Sequence, residues 1–205
     1  MADFNSRAAA ARVLADVLGP GRSLTAALPQ QQAGIADPQD RAFVQELCFG
    51  TLRWLPRLEL MLRPLLRRPL KGRDSDIQAL LLIGLYQLLY LDTPAHAAVS
   101  ETVKATGILG KSWARGLVNG VLRNLHRREA ELASKADGSE VGLYAHPKWL
   151  IEALREAWPE QWQTILAANN ERPPMTLRVN PRQAGRDEYL QTLAEAGITA
   201  RPAPH

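Results

Sequence analysis

Ile77-Gln78-Ala79-Leu80-Leu81-Leu82-Ile83-Gly84-Leu85-Tyr86-Gln87-Leu88-Leu89-Tyr90 decides the fold. Apolar side chains occupy nearly the whole circumference of a helix at these positions, which predicts the central helix of a bundle. Leu81, Leu85 and Leu88 are expected to be almost fully buried. The run extends to Leu91, is too short to span a bilayer, and carries Gln78 and Gln87. Asp92-Thr93-Pro94 ends it.

Working outward, the flanking segments also read as helix. Phe4, Val13, Leu14, Val17 and Leu18 form one stripe that leaves an alanine-rich run, closed by Gly19-Pro20-Gly21. Asp37-Pro38 is an N-cap followed by a first-turn proline, and Phe43, Val44, Leu47, Cys48 and Leu52 share one face after it. A short segment with Leu58, Leu62, Leu65 and Leu66 is interrupted by Pro64 and closed by Pro69. On the other side come helices from about 97 to 108 and from about 112 to 132, the latter with Trp113, Leu117, Val118, Val121, Leu122 and Leu125 inward. Gly116 and Gly120 are four residues apart in that helix, which suggests a close helix–helix approach, with Asn119 as a buried hydrogen-bonding group.

After Leu132 the composition shifts. Residues 134–142 read as a polar linker, and Pro147 and Pro159 open a short helical pair holding Trp149, Trp158 and Trp162. Met175, Leu177 and Val179 then alternate with Thr176, Arg178 and Asn180, a strand pattern, followed by a helix over 187–196 and the entry to a second strand at 197–200. One strand, one helix and part of another strand cannot cover a sheet face. The fold class is therefore mainly α: a helical bundle over residues 1–135, then linker helices and a partial α+β segment over 136–205, cut inside a second domain.

The chain's 205 residues are 46% hydrophobic and 22% charged, an ordinary globular composition. Its net charge of +4 hides an asymmetry: residues 1–130 carry 17 basic and 11 acidic side chains, and residues 131–205 carry 8 and 10. From Arg53 to Arg73 seven bases face only Glu59. Such a run points to a polyanion, with nucleic acid first, or to a solvated helix face. The N-terminus lacks the apolar core of a signal peptide, so a soluble, cytoplasmic protein with no membrane partner is expected.

Chemistry-bearing motifs are sparse. Cys48 is the single cysteine, which excludes a disulfide framework and a cysteine zinc cluster. Between Leu47 and Phe49 it reads as a protonated core thiol rather than a nucleophile. His96, His126 and His146 have no sequence companions that would make any of them a base. No phosphate-binding glycine loop, zinc-protease helix or serine elbow is present.

The stretches Leu82–Tyr90, Pro94–Val103 and Leu117–Asn124 together resemble the NusB-type RNA-binding fold. Glu46–Arg53, His146–Asn170 and Ala168–Met175 narrow the resemblance to the N-terminal part of the RsmB (Sun/Fmu) family of bacterial 16S rRNA cytosine-C5 methyltransferases. That resemblance implies a NusB-like domain, an RRM-like piece and then a methyltransferase domain that uses S-adenosylmethionine and two cysteines. With one cysteine and no donor turn, no catalytic, cofactor or metal residue carries over, and the chain alone is expected to be inactive. The implied partners are 16S rRNA and, intramolecularly, the methyltransferase domain. In NusB-type domains first-helix arginines act on RNA, and Arg7 and Arg12 match here; the basic run adds Arg53, Arg57, Arg63, Arg67, Arg68, Lys71 and Arg73. The competing functions are a stand-alone NusB-like RNA- or protein-binding module in transcription antitermination, and a helical scaffold without RNA.

Overall fold

The computed structural model describes residues 4–203. Among them are twelve α-helices, three short 3₁₀ turns and no strand. The chain divides into one unit ending at Asn170 and a second beginning at Glu171.

In the first unit, α5 (Ser75–Tyr90) is the hub, as the sequence predicts, and packs against α1 (Ser6–Leu18), α3 (Pro38–Arg53), α4 (Leu55–Leu62), α6 (Ala95–Ile108) and α7 (Arg115–Arg127). The nine consecutive residues Ala79–Gln87 of α5 are buried, as is Ile77, with the half-buried Gln78 between them.

 Leu81 and Leu85 are fully enclosed, whereas Leu88 is only half-buried because it lies in the last turn, beyond the helices that cover the rest.

Two features let neighbours approach α5 closely. Ala8, Ala9, Ala10 and Ala11 on α1 are all buried, so the alanine run itself is the packing face, while Phe4 and Leu18 of the expected stripe are exposed. At Gly84, a β-carbon would sit 2.6 Å from Leu122 Cδ2 of α7, so any larger residue there would require the Leu122 side chain to shift. Gly116 and Gly120 do not have the expected role: a β-carbon at either would meet nothing within 4 Å, and both face solvent. Asn119 beside them is half-buried rather than enclosed.

The single helix expected over 112–132 is three elements. Ser112–Ala114 is a 3₁₀ turn that leaves Trp113 exposed, α7 follows, and Arg128 breaks helical geometry (φ −116°, ψ 19°) before α8 (Glu129–Asp137). The polar stretch 134–142 is not a linker: it holds the end of α8 and the start of α9 (Glu140–Tyr144), capped by Ser139, whose Oγ accepts from the Gly142 N–H at 3.2 Å. Two tryptophan-bearing helices, α10 (Lys148–Ala157) and α11 (Trp162–Asn170), complete the unit as the expected pair. A smaller helix, α2 (Leu24–Gln32), packs on α1 and α3.

In the second unit the helix expected over 187–196 is α12 (Arg186–Glu195). The alternating run Met175–Val179 and the stretch 197–200 form no ladder. A strand is stable only when its backbone groups are paired and one face is covered, and this unit supplies neither, with Met175 85% exposed.

Candidate nucleic-acid interface

The basic run divides according to how each side chain is held. Between α4 and α5, Pro64 and Pro69 prevent a continuous helix, and two 3₁₀ turns, Arg63–Leu65 and Gly72–Asp74, take its place. Leu65, Leu66 and Leu70 pack against the core and tie this loop down. The residues between and beside them, Arg63, Arg67, Arg68, Lys71 and Arg73, are all exposed. No acidic residue lies between 63 and 73. The nearest carboxylate, Asp74, is buried and held by Lys111 at 3.1 Å, with Arg73 at 3.7 Å. Burial pulls the Lys111 ammonium down, but its hydrogen bonds to Asp76 and Asp74 outweigh that and leave its pKa above the ordinary value. The loop therefore presents a concentrated positive charge on a fixed support.

Arg57 and Arg7 are held differently. Arg57 Nη1 donates to the Gly142 carbonyl at 2.9 Å and to the Asp137 carboxylate, which joins α4 to α8 and α9. That hydrogen bond holds the Asp137 carboxyl below its usual range. Arg7 Nε donates to Gln87 Oε1 at 3.0 Å, and its guanidinium lies 4.8 Å from the Phe43 ring centroid. Burial lowers the Arg7 pKa despite Glu101 and Asp40 nearby. Arg7 thus supplies the buried Gln87 side-chain carbonyl with a donor inside the core. Arg12 is exposed, and its Nη2 donates to the Ile108 carbonyl at 3.0 Å.

Arg53, half-buried, and Arg63 both line a groove of about 750 Å³ beside α4. Its opposite wall is Val141, Ala145–Pro147 and Asn169–Asn170. His146, which has no companion in sequence, is buried here with two partners: Nδ1 lies 2.6 Å from the Tyr144 carbonyl and Nε2 lies 3.0 Å from Asn169 Nδ2. A further basic surface escapes the sequence reading. On α7, Arg115, Arg123, His126 and Arg127 are exposed, and no acidic residue occurs from 115 to 128. The absence of acids over fourteen residues was its available signal.

Cys48 is fully buried, its Sγ 4.0 Å from the Ala10 carbonyl, and burial pushes its pKa up to about 12. It is a core thiol, as its apolar neighbours suggest, although Phe49 beside it faces solvent. No group of three or more His, Cys, Asp or Glu among the described residues is placed to hold a metal ion. No helix among them is long and apolar enough to cross a membrane.

Residues 4–127 match the family model described as the NusB family. The chain belongs to the NusB family. In this NusB-family chain, residues 146–205 also match the ferredoxin-like domain of RsmF/B-like methyltransferases. It is 53% identical over 197 residues to "Ribosomal RNA small subunit methyltransferase B" of Pseudomonas putida, covering 96% of this chain and 45% of that protein. Proteins of the same name from Yersinia pestis and Yersinia pseudotuberculosis are 47% identical over 201 residues, covering 98% of this chain and 46% of theirs. The chain spans about half the length of the curated relatives it matches.

The methyl donor of such enzymes, S-adenosylmethionine, carries a sulfonium cation. The groove beside α4 offers two cations, Arg53 and Arg63, and one carboxylate, Glu59. That charge balance does not fit the donor, and no step of methyl transfer is assigned to these residues.

Proposed function

We propose that this chain is the RNA-binding, substrate-positioning part of a 16S rRNA cytosine-C5 methyltransferase acting in the cytoplasm, with residues 1–135 as the NusB-like RNA-binding domain. The loop between α4 and α5 is the observation that carries this reading: five exposed bases, no acid among them, on a support anchored by three leucines. Arginine suits phosphate because its planar fork binds bidentately and stays charged. Structured rRNA is recognised largely through its backbone and shape, which such a loop can follow.

Arg63, Arg67, Arg68, Lys71 and Arg73 are the foremost RNA contacts, with Arg53 and Arg12 as further ones. Arg7 and Arg57 contribute by holding α1, α4 and α9 in place. The chain's share of the activity is binding, since the family's chemistry uses two cysteines and Cys48 alone is present, in the core. Support for the rRNA substrate comes from the names of the relatives at 47–53% identity.

The test is fluorescence anisotropy of labelled, structured 16S rRNA fragments with the 205-residue chain, against duplex DNA of equal length. Preferential rRNA binding that weakens on Arg67→Glu/Arg68→Glu supports the proposal. Equal binding to both nucleic acids, or none, contradicts it.

A further inference from the structure

The groove beside α4 carries more than the bundle requires. Its lining lies wholly within the first unit. One wall is apolar, formed by Leu52, Leu55, Pro56 and Leu60, and Leu60 is left 37% exposed. A large aliphatic side chain facing open groove on a short helix adds nothing to the core. At the two ends of α4, Arg53 and Arg63 line the same groove, and the guanidinium of neither has an ion-pair or hydrogen-bond partner among the described residues.

The facing wall is polar and fixed. A carbonyl oxygen can only accept, so His146 Nδ1 donates to Tyr144 O, and Nε2 accepts from Asn169 Nδ2. Asn170 Nδ2 donates to the same carbonyl at 2.8 Å, while its buried Oδ1 has no partner. Ala145, between them, is held in the left-handed region (φ 54°), a conformation that L residues other than glycine rarely take. An apolar wall and two unpaired guanidinium groups, facing a wall held rigid by its own hydrogen bonds, together call for a flat apolar body with an attached anion.

A nucleotide has those parts. We propose that the groove seats one unstacked nucleotide of an RNA chain, its phosphate on Arg53 and Arg63 and its base against the Leu55–Leu60 wall. This deepens the RNA-binding reading and rests on it. Unstacked bases are recognised on their edges and by stacking on histidine or arginine planes, and His146, Arg53 and Arg63 all line this groove. Glu59, the one acidic side chain there, has no cation within ion-pair distance among the described residues; it repels phosphate and accepts from a base amino group, which sets the nucleotide's direction.

The test follows the side-chain amide NMR signals of Asn169 and Asn170 in the 205-residue chain. Cytidine and adenosine 5′-monophosphates are titrated in, then the matching nucleosides and inorganic phosphate. The monophosphates are expected to shift both amides saturably, with the nucleosides binding about tenfold more weakly. Arg53→Ala/Arg63→Ala should remove that phosphate-dependent gain and Leu60→Asp the remaining affinity, whereas Lys104→Ala on α6 should leave it unchanged. All three substituted positions line the groove, and an unchanged melting temperature verifies folding. No shift with any nucleotide, an equal response to inorganic phosphate, or an equal response to an acidic peptide overturns the proposal. Amide shifts without rRNA binding would remove the RNA function and keep the nucleotide site; rRNA binding without amide shifts would do the reverse.

Discussion

Tyr86 lies across Gly50 so closely that a β-carbon at position 50 would sit 2.0 Å from Tyr86 Cζ. The ring has little room to retreat, because it stacks on Tyr90 with centroids 5.7 Å apart and its hydroxyl donates to Glu46 Oε1 at 2.7 Å. This contact sets the approach of α3 to α5. Gly50→Ala should therefore destabilise the chain by about 2 kcal/mol, overpacking outweighing the better helix propensity of alanine. Urea unfolding measures it, and a stabilised variant would show that Tyr86 moves freely.

The opposite sign is expected on α7. Gly116→Ala and Gly120→Ala place a methyl group in open space, so each should stabilise by up to about 1 kcal/mol through helix propensity alone. Thermal unfolding of the two variants checks this. A loss of stability at either position would mean that the glycine backbone is needed for a contact made in the folded chain.

Arg57→Ala separates structural from surface cations. It removes the bonds to Gly142 O and Asp137, so a loss of about 2–3 kcal/mol is expected, as for hydrogen bonds to charged groups. Arg68→Ala, on an exposed side chain, should change stability by less than about 0.5 kcal/mol. Paired melting curves decide it.

Cys48 makes stability pH-dependent on the alkaline side. Its thiol must stay protonated in the fold, where burial raises its pKa to about 12, while the unfolded thiol ionises near 9.0. The stabilisation is complete below pH 9, falls as pH rises above it and stops falling near pH 12. By about pH 10.5 the chain should have lost about 2 kcal/mol more than Cys48→Ala does over the same range. Parallel pH profiles for the two proteins would contradict a buried, neutral thiol.

How much of this was legible depends on whether a feature is local. The all-round apolar pattern of 77–90 announced a buried helix, since periodicity reflects burial directly. The core state of Cys48 followed from its neighbours in the same way. Gly116 and Gly120 misled because the pattern of small residues on a face does not say whether another helix comes near; Gly50, Gly84 and Gly142 are among the close contacts. The break at Arg128 fell inside a continuous apolar pattern, and the strand over 175–179 lacked any pairing partner in its own unit. The exposed bases of the α4–α5 loop were visible as a run, but the internal bonds of Arg7 and Arg57 depend on Gln87, Asp137 and Gly142, each 80 or more residues away in the chain. The groove was hidden for the same reason: its walls come from residues 52–63 and 141–170.

The central claim is that the exposed cations between α4 and α5 hold RNA. Its most direct test is the salt dependence of binding to a structured 16S rRNA fragment, for the chain and for Arg63→Glu/Arg67→Glu/Arg68→Glu, with melting curves alongside. If these side chains each displace a counterion at the phosphate backbone, the slope of log affinity against log salt should shrink in magnitude by about 2–3 in the triple variant, with its melting temperature unchanged. An unchanged slope and affinity in a folded triple variant would contradict the claim and place the RNA on another face.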